Sequence, residues 1–103
     1  MNVITTSENG VVNKNTIFEF TQTDELVFAE YKGGQIKKGF LVGNMAGDQL
    51  TFSFCQLQLD GKLDNGCSSC DLSINENGKI ILVEHFEWAS RPGEFGTNIF
   101  QEI

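Results

Sequence analysis

Basic residues are scarce in this chain: 7 Lys and Arg stand against 14 Asp and Glu, for a formal net charge of −7. Such a surface repels a phosphate backbone and anionic lipid headgroups, so neither nucleic acid nor a membrane surface is expected as a partner. Long apolar runs are also missing. No stretch approaches the ~20 residues of a membrane helix. The start, Met1-Asn2-Val3-Ile4-Thr5-Thr6, lacks the basic cluster and apolar run of a signal peptide, and a cytoplasmic protein is expected. Cysteine is sparse and odd in number, at 3 residues, unlike a secreted disulfide scaffold. No window sustains apolar residues at three- and four-residue spacing, which leaves no candidate helix.

What the chain does have is 40% hydrophobic residues, 9 Phe and 11 Gly in 103 residues. That is too apolar for a disordered tail and is the size of one domain, spanning 1–103. Turn signals recur throughout: Glu8-Asn9-Gly10, Thr23-Asp24-Glu25, Gly33-Gly34, Ala46-Gly47-Asp48, Asp60-Gly61, Asn65-Gly66, Asn77-Gly78 and Arg91-Pro92-Gly93. Asn-Gly, Asp-Gly and Gly-Gly supply the positive φ angles of tight hairpins. Runs rich in Val, Ile, Phe and Thr lie between them and alternate with period two. The predicted strands are 2–7, 15–22, 26–32, 35–44, 50–59, 62–74 (broken at Asn65-Gly66), 79–90 and 95–102.

Consecutive strands with short connections predict an all-β, antiparallel up-and-down meander of about eight strands. An open sheet with no helix to cover it escapes exposed edges by curling, so a barrel or half-barrel filled by the phenylalanines is expected. One strand changes phase. Leu50, Phe52 and Phe54 share one parity, whereas Cys55, Leu57 and Leu59 share the other, which predicts a bulge near Phe54-Cys55 unless both faces are covered.

Two carboxylates continue apolar parities. Glu30 follows Leu26 and Phe28; Glu84 sits among Ile80, Leu82, Phe86 and Trp88. A carboxylate inside a barrel must be paired or wet. The structural reading pairs them with Lys38 or Arg91, or places them at the barrel mouth. The functional reading makes them polar anchors of a small-ligand pocket built from Phe28, Glu30, Tyr31, Glu84, Phe86 and Trp88. Acid/base hydrolysis by the carboxylate pair is a further alternative. His85, the only histidine, lies on the face opposite Glu84 and reads as solvent-facing, with no nucleophile spaced to it. Cys67-Ser68-Ser69-Cys70 offers half a zinc site or a redox pair. It lacks two further ligands and a helix N-terminus, and residues three apart on a straight strand point to opposite faces. No metal, cofactor or catalytic residue is assigned.

The segment Phe28-Ala29-Glu30-Tyr31-Lys32-Gly33-Gly34, then Gly39-Phe40-Leu41-Val42-Gly43, then Ile80 to Trp88, resembles a small bacterial all-β family of about hundred-residue proteins often labelled N-acetylglutamate synthase. The resemblance covers most of the chain from Ile17 to Ile103. It implies an all-β fold, and its label implies acetyl-CoA-dependent acetyl transfer. The chain carries no strand–loop–helix with which such enzymes hold the pyrophosphate of acetyl-CoA. The expected function is therefore non-catalytic binding of a small, apolar molecule or a partner protein. The alternatives are the acetyltransferase of the family label, or a structural protein that forms a homodimer.

Overall fold

The structure is a computed structural model and describes residues 2–6 and 11–102. The turn expected at Glu8-Asn9-Gly10 lies outside the described residues. Those described form eight antiparallel strands: β1 Asn2–Thr6, β2 Ile17–Thr23, β3 Leu26–Gly33, β4 Ile36–Ala46, β5 Gln49–Gln58, β6 Leu63–Ile74, β7 Ile80–Trp88 and β8 Phe95–Gln101. Each strand pairs with the next in sequence, in the up-and-down order that short hairpins dictate. From β2 to β8 the ladder is continuous. The ring is completed by β1, which runs along β8 from Asn2↔Gln101 to Thr6↔Asn98 and meets β2 at the single pair Asn2↔Ile17.

From β2 to β8, alternate residues enter the interior over most of each strand. The core contains Phe18, Tyr31, Leu41, Leu50, Phe52, Phe54, Leu82, Phe86, Trp88 and Phe100. Aromatic rings dominate it. Phe18 stacks on Tyr31 at 4.3 Å between centroids, and Phe54 and Phe86 meet Trp88 edge-on at 5.4 and 5.5 Å. The phenylalanines do not all serve this core: Phe28, Phe40 and Phe95 are exposed.

The bulge expected near Phe54-Cys55 is not there. Strand β5 alternates without a break, with Leu50, Phe52, Phe54, Gln56 and Gln58 buried and Cys55 exposed. The phase is kept because polar side chains take the last two inward places. The register slips instead between Ile36 and Lys38, where β4 leaves its hairpin. Strand β6 is likewise unbroken at Asn65-Gly66. Gly66 is a site of close approach rather than a turn: a Cβ there would stand 2.2 Å from the Glu87 carbonyl oxygen.

One end of the barrel is closed by a polar cluster. Asp64, 1% exposed, accepts from Arg91 Nη2 at 2.6 Å and Nε at 3.2 Å, from Ser90 Oγ at 2.9 Å and from Gln58 Nε2 at 2.7 Å. The Arg91 guanidinium lies over the Trp88 ring at 4.6 Å. Burial by itself would raise the Asp64 carboxyl; the bonds from Arg91 and Ser90 outweigh it and hold the group below its ordinary value. A lowered folded pKa gives stability that is present above the unfolded value and lost as the pH falls through the folded one. Replacing Arg91 by Ala strands the Asp64 charge, and denaturant melts at neutral pH should show a loss of about 3 kcal/mol. The deficit should shrink on acidification, as Asp64 becomes protonated in the variant.

Candidate functional site

The interior of the barrel narrows to a cavity of about 20 Å³, room for roughly one water molecule. Its wall is apolar except for Tyr31, Gln56, Glu84, Trp88 and Asn98, brought together from β3, β5, β7 and β8. Tyr31 reaches inward because its cross-strand neighbour is Gly39; a Cβ at that position would lie 2.3 Å from the tyrosine ring.

The polar groups are ordered by their mutual bonds. The Tyr31 hydroxyl donates to Gln56 Oε1 at 2.8 Å. This uses the oxygen of the Gln56 amide and leaves Nε2 buried without a partner among the described residues. Asn98 Nδ2 donates to Glu84 Oε1 at 2.9 Å, which leaves Asn98 Oδ1 in the same condition. Trp88 Nε1 is the third such atom. Two unmet donors and one unmet acceptor therefore belong to residues lining one cavity. Buried polar atoms are normally bonded, and one left unmet costs about 1–3 kcal/mol.

Glu84 is 4% exposed and accepts a bond from Ser68 Oγ at 2.5 Å besides that from Asn98. Burial raises its pKa above the ordinary carboxylate value, more than the bonds from Ser68 and Asn98 lower it. Burial, with the Glu84 charge in second place, pushes the Tyr31 hydroxyl and the Cys70 thiol up as well.

Four of the residues expected to form a pocket therefore meet inside: Tyr31, Glu84, Phe86 and Trp88. Two do not. Phe28 is 44% exposed and Glu30 faces outward beside it, because β3 turns Val27, Ala29 and Tyr31 to the core. Glu30 pairs with Lys38 on the outer surface. Arg91 is engaged by Asp64, so neither cation expected for Glu84 reaches it, and its partners are neutral. The two carboxylates lie on opposite sides of the sheet and cannot flank one substrate. His85 faces solvent, 3.9 Å from Asp71. Cys67 is exposed and Cys70 buried, on opposite faces of β6, and neither is in a disulfide.

Gln56, Ser68 and Asn98 escaped the sequence reading, although each keeps the parity of a buried aromatic neighbour: Phe54, Phe86 across the ladder, and Phe100. Val11 and Val12, which precede β2, also line the cavity.

The raised Glu84 pKa has a testable sign. Its stabilising contribution is complete below the unfolded value and is lost as the pH rises through the folded one, because ionisation in place is costly. Glu84→Gln keeps the shape and the acceptor while removing the titration. In urea melts from about pH 4 to about pH 8, wild-type stability should gain on the variant at the acidic end and fall behind it at the alkaline end. A variant less stable by a constant amount at every pH would overturn this account.

A comparison with protein-family models matches the whole chain, residues 1–103, to the avidin-like protein family. Comparisons with curated proteins and with solved structures give no match. The family match corrects the kinship expected from the Phe28–Gly43 and Ile80–Trp88 segments: nothing points to N-acetylglutamate synthase. Those segments are core strands and a glycine hairpin, whose pattern reports a packed sheet and not an acetyl-transfer site. The eight-stranded meander, its filled interior and the match over the full length agree, and the chain belongs to the avidin-like protein family.

Proposed function

We propose that the protein is a non-catalytic binder of a small, uncharged molecule, held inside the barrel against Tyr31, Gln56, Trp88 and Asn98. One observation carries the reading: the unmet Gln56 Nε2, Trp88 Nε1 and Asn98 Oδ1 all belong to residues that line a single cavity. A ligand offering two acceptor positions and one donor meets all three. An amide, a lactam or a cyclic urea carries both kinds of group, and the family is a small-molecule, biotin-like binding fold. A charged head is disfavoured there, since the lining is buried and Glu84 already resists ionisation. Non-catalytic binding is favoured because the one buried thiol, Cys70, is held protonated by burial. The histidine lies on the outer face.

Trp88 is the only tryptophan, so its fluorescence reports on the site directly. Titration with biotinamide, 2-imidazolidinone and ε-caprolactam should give a saturable change in emission and a rise in melting temperature with at least one of them. Trp88→Phe removes one donor and should weaken that ligand about tenfold by calorimetry. If none of the three shifts either emission or melting of the wild type, the assigned ligand chemistry is wrong.

A second reading concerns the outer face. Leu26, Phe28, Phe40 and Val42 are 44–56% exposed and adjoin on β3 and β4, with Phe28 directly opposite Val42. An exposed apolar block on a chain of this charge favours self-association into a homodimer through that face. Sedimentation should find a dimer whose population collapses in Phe40→Glu. A wild type that stays monomeric at high concentration would leave the block without this role.

A further inference from the structure

We propose that Val11 and Val12 form an internal stopper: their side chains occupy the mouth of the ligand cavity and leave it when a ligand enters. The inference rests on the ligand-binding reading above. Both valines are buried, 8% and 7% exposed, and pack in the core cluster. They line the same cavity as Gln56, Trp88 and Asn98. Among the described residues, the rest of that lining lies on strands β2, β3, β4, β5, β7 and β8, held by ladder bonds, and only the two valines lie outside every strand. The space they leave admits about one water, too little for an amide-bearing ligand. Something must move, and the groups off the ladder move at least cost.

The segment is pinned immediately behind the valines. Thr16, fully buried, donates from its amide to the Asn13 carbonyl at 2.9 Å and from Oγ1 to the Gly33 carbonyl at 3.1 Å. Asn13 donates back to Thr16 Oγ1 at 3.1 Å. This turn ties the segment to the β3–β4 hairpin just after the valines. Chemistry also makes them a poor occupant. A valine side chain has nothing to offer Gln56 Nε2, Trp88 Nε1 or Asn98 Oδ1, so it seals the mouth without meeting the unmet atoms. A ligand does both when it joins a hydrogen-bonding head to a branched or cyclic apolar body that takes over the valines' room.

The test uses the full chain with Val11→Ser and Val12→Ser together. Val11→Ala with Val12→Ala is the second variant should the first fail to fold, and circular dichroism and melting establish folding. Acrylamide quenching of Trp88 reads access to the cavity without any bound ligand, and ε-caprolactam titration reads competition. The expected result is quenching several-fold stronger than in the wild type, with caprolactam bound about tenfold tighter, since the variant no longer has to open. Stronger quenching with caprolactam bound by neither protein sustains the stopper and sinks the ligand chemistry assigned above. Unchanged quenching in a folded variant overturns the stopper, whatever caprolactam does. Stronger quenching with caprolactam bound equally by both overturns the displacement, because the valines then shield Trp88 without competing.

Discussion

Closure of the hydrogen-bond ladder is the constraint on which the rest depends. Once β8 is joined to β2 through β1, alternate residues of β2 to β8 are committed to one shared interior. An interior of eight strands is just wide enough to be filled by side chains, so each inward position must be apolar, or polar with a partner. The aromatic residues satisfy the first condition. Whether the polar ones satisfy the second separates the two ends of the molecule's internal chemistry.

Asp64 and Glu84 are both almost fully buried, yet their surroundings differ in kind. Around Asp64 a cation, a hydroxyl and an amide converge, and the carboxyl remains charged. This is a completed network that locks β6 to the β7–β8 connection. Around Glu84 the hydrogen-bond donors among the described residues, Ser68 and Asn98, are neutral, and the charge is suppressed. The bonds from Tyr31 to Gln56 and from Asn98 to Glu84 use one end of each amide and leave the other end buried without a partner among the described residues. The ligand proposed above would supply the partners that these atoms lack.

The same alternation explains the outer surface. Phe28, Phe40 and Val42 are apolar residues on the outward parity, and the ladder gives them no core to enter. They form a block on β3 and β4, flanked by the Glu30–Lys38 pair. Cys55 and Cys67 lie outward on the neighbouring strands, whereas Cys70 faces in, so the Cys-x-x-Cys spacing carries no joint chemistry across the sheet.

The all-β class, the strand positions and the turns other than Asn65-Gly66 were legible in the sequence over the described residues, because period-two alternation and glycine-bearing turns are local properties that act over a few residues. So was the inward direction of Glu84, Phe86 and Trp88, each sharing parity with Leu82. The direction of β3 was not legible. Leu26-Phe28-Glu30 and Val27-Ala29-Tyr31 are both plausible inner faces, and only pairing with β4, where Gly39 makes room for the Tyr31 ring, decides between them. The phase of β5 was misread for a related reason: Gln56 and Gln58 are polar residues on the inner face, and only partners distant in sequence, Tyr31 and Asp64, make their burial acceptable. The cavity itself belongs wholly to the tertiary structure. Whether a buried amide keeps an unmet atom depends on which neighbours closure brings within about 3 Å of it, and local sequence does not encode that.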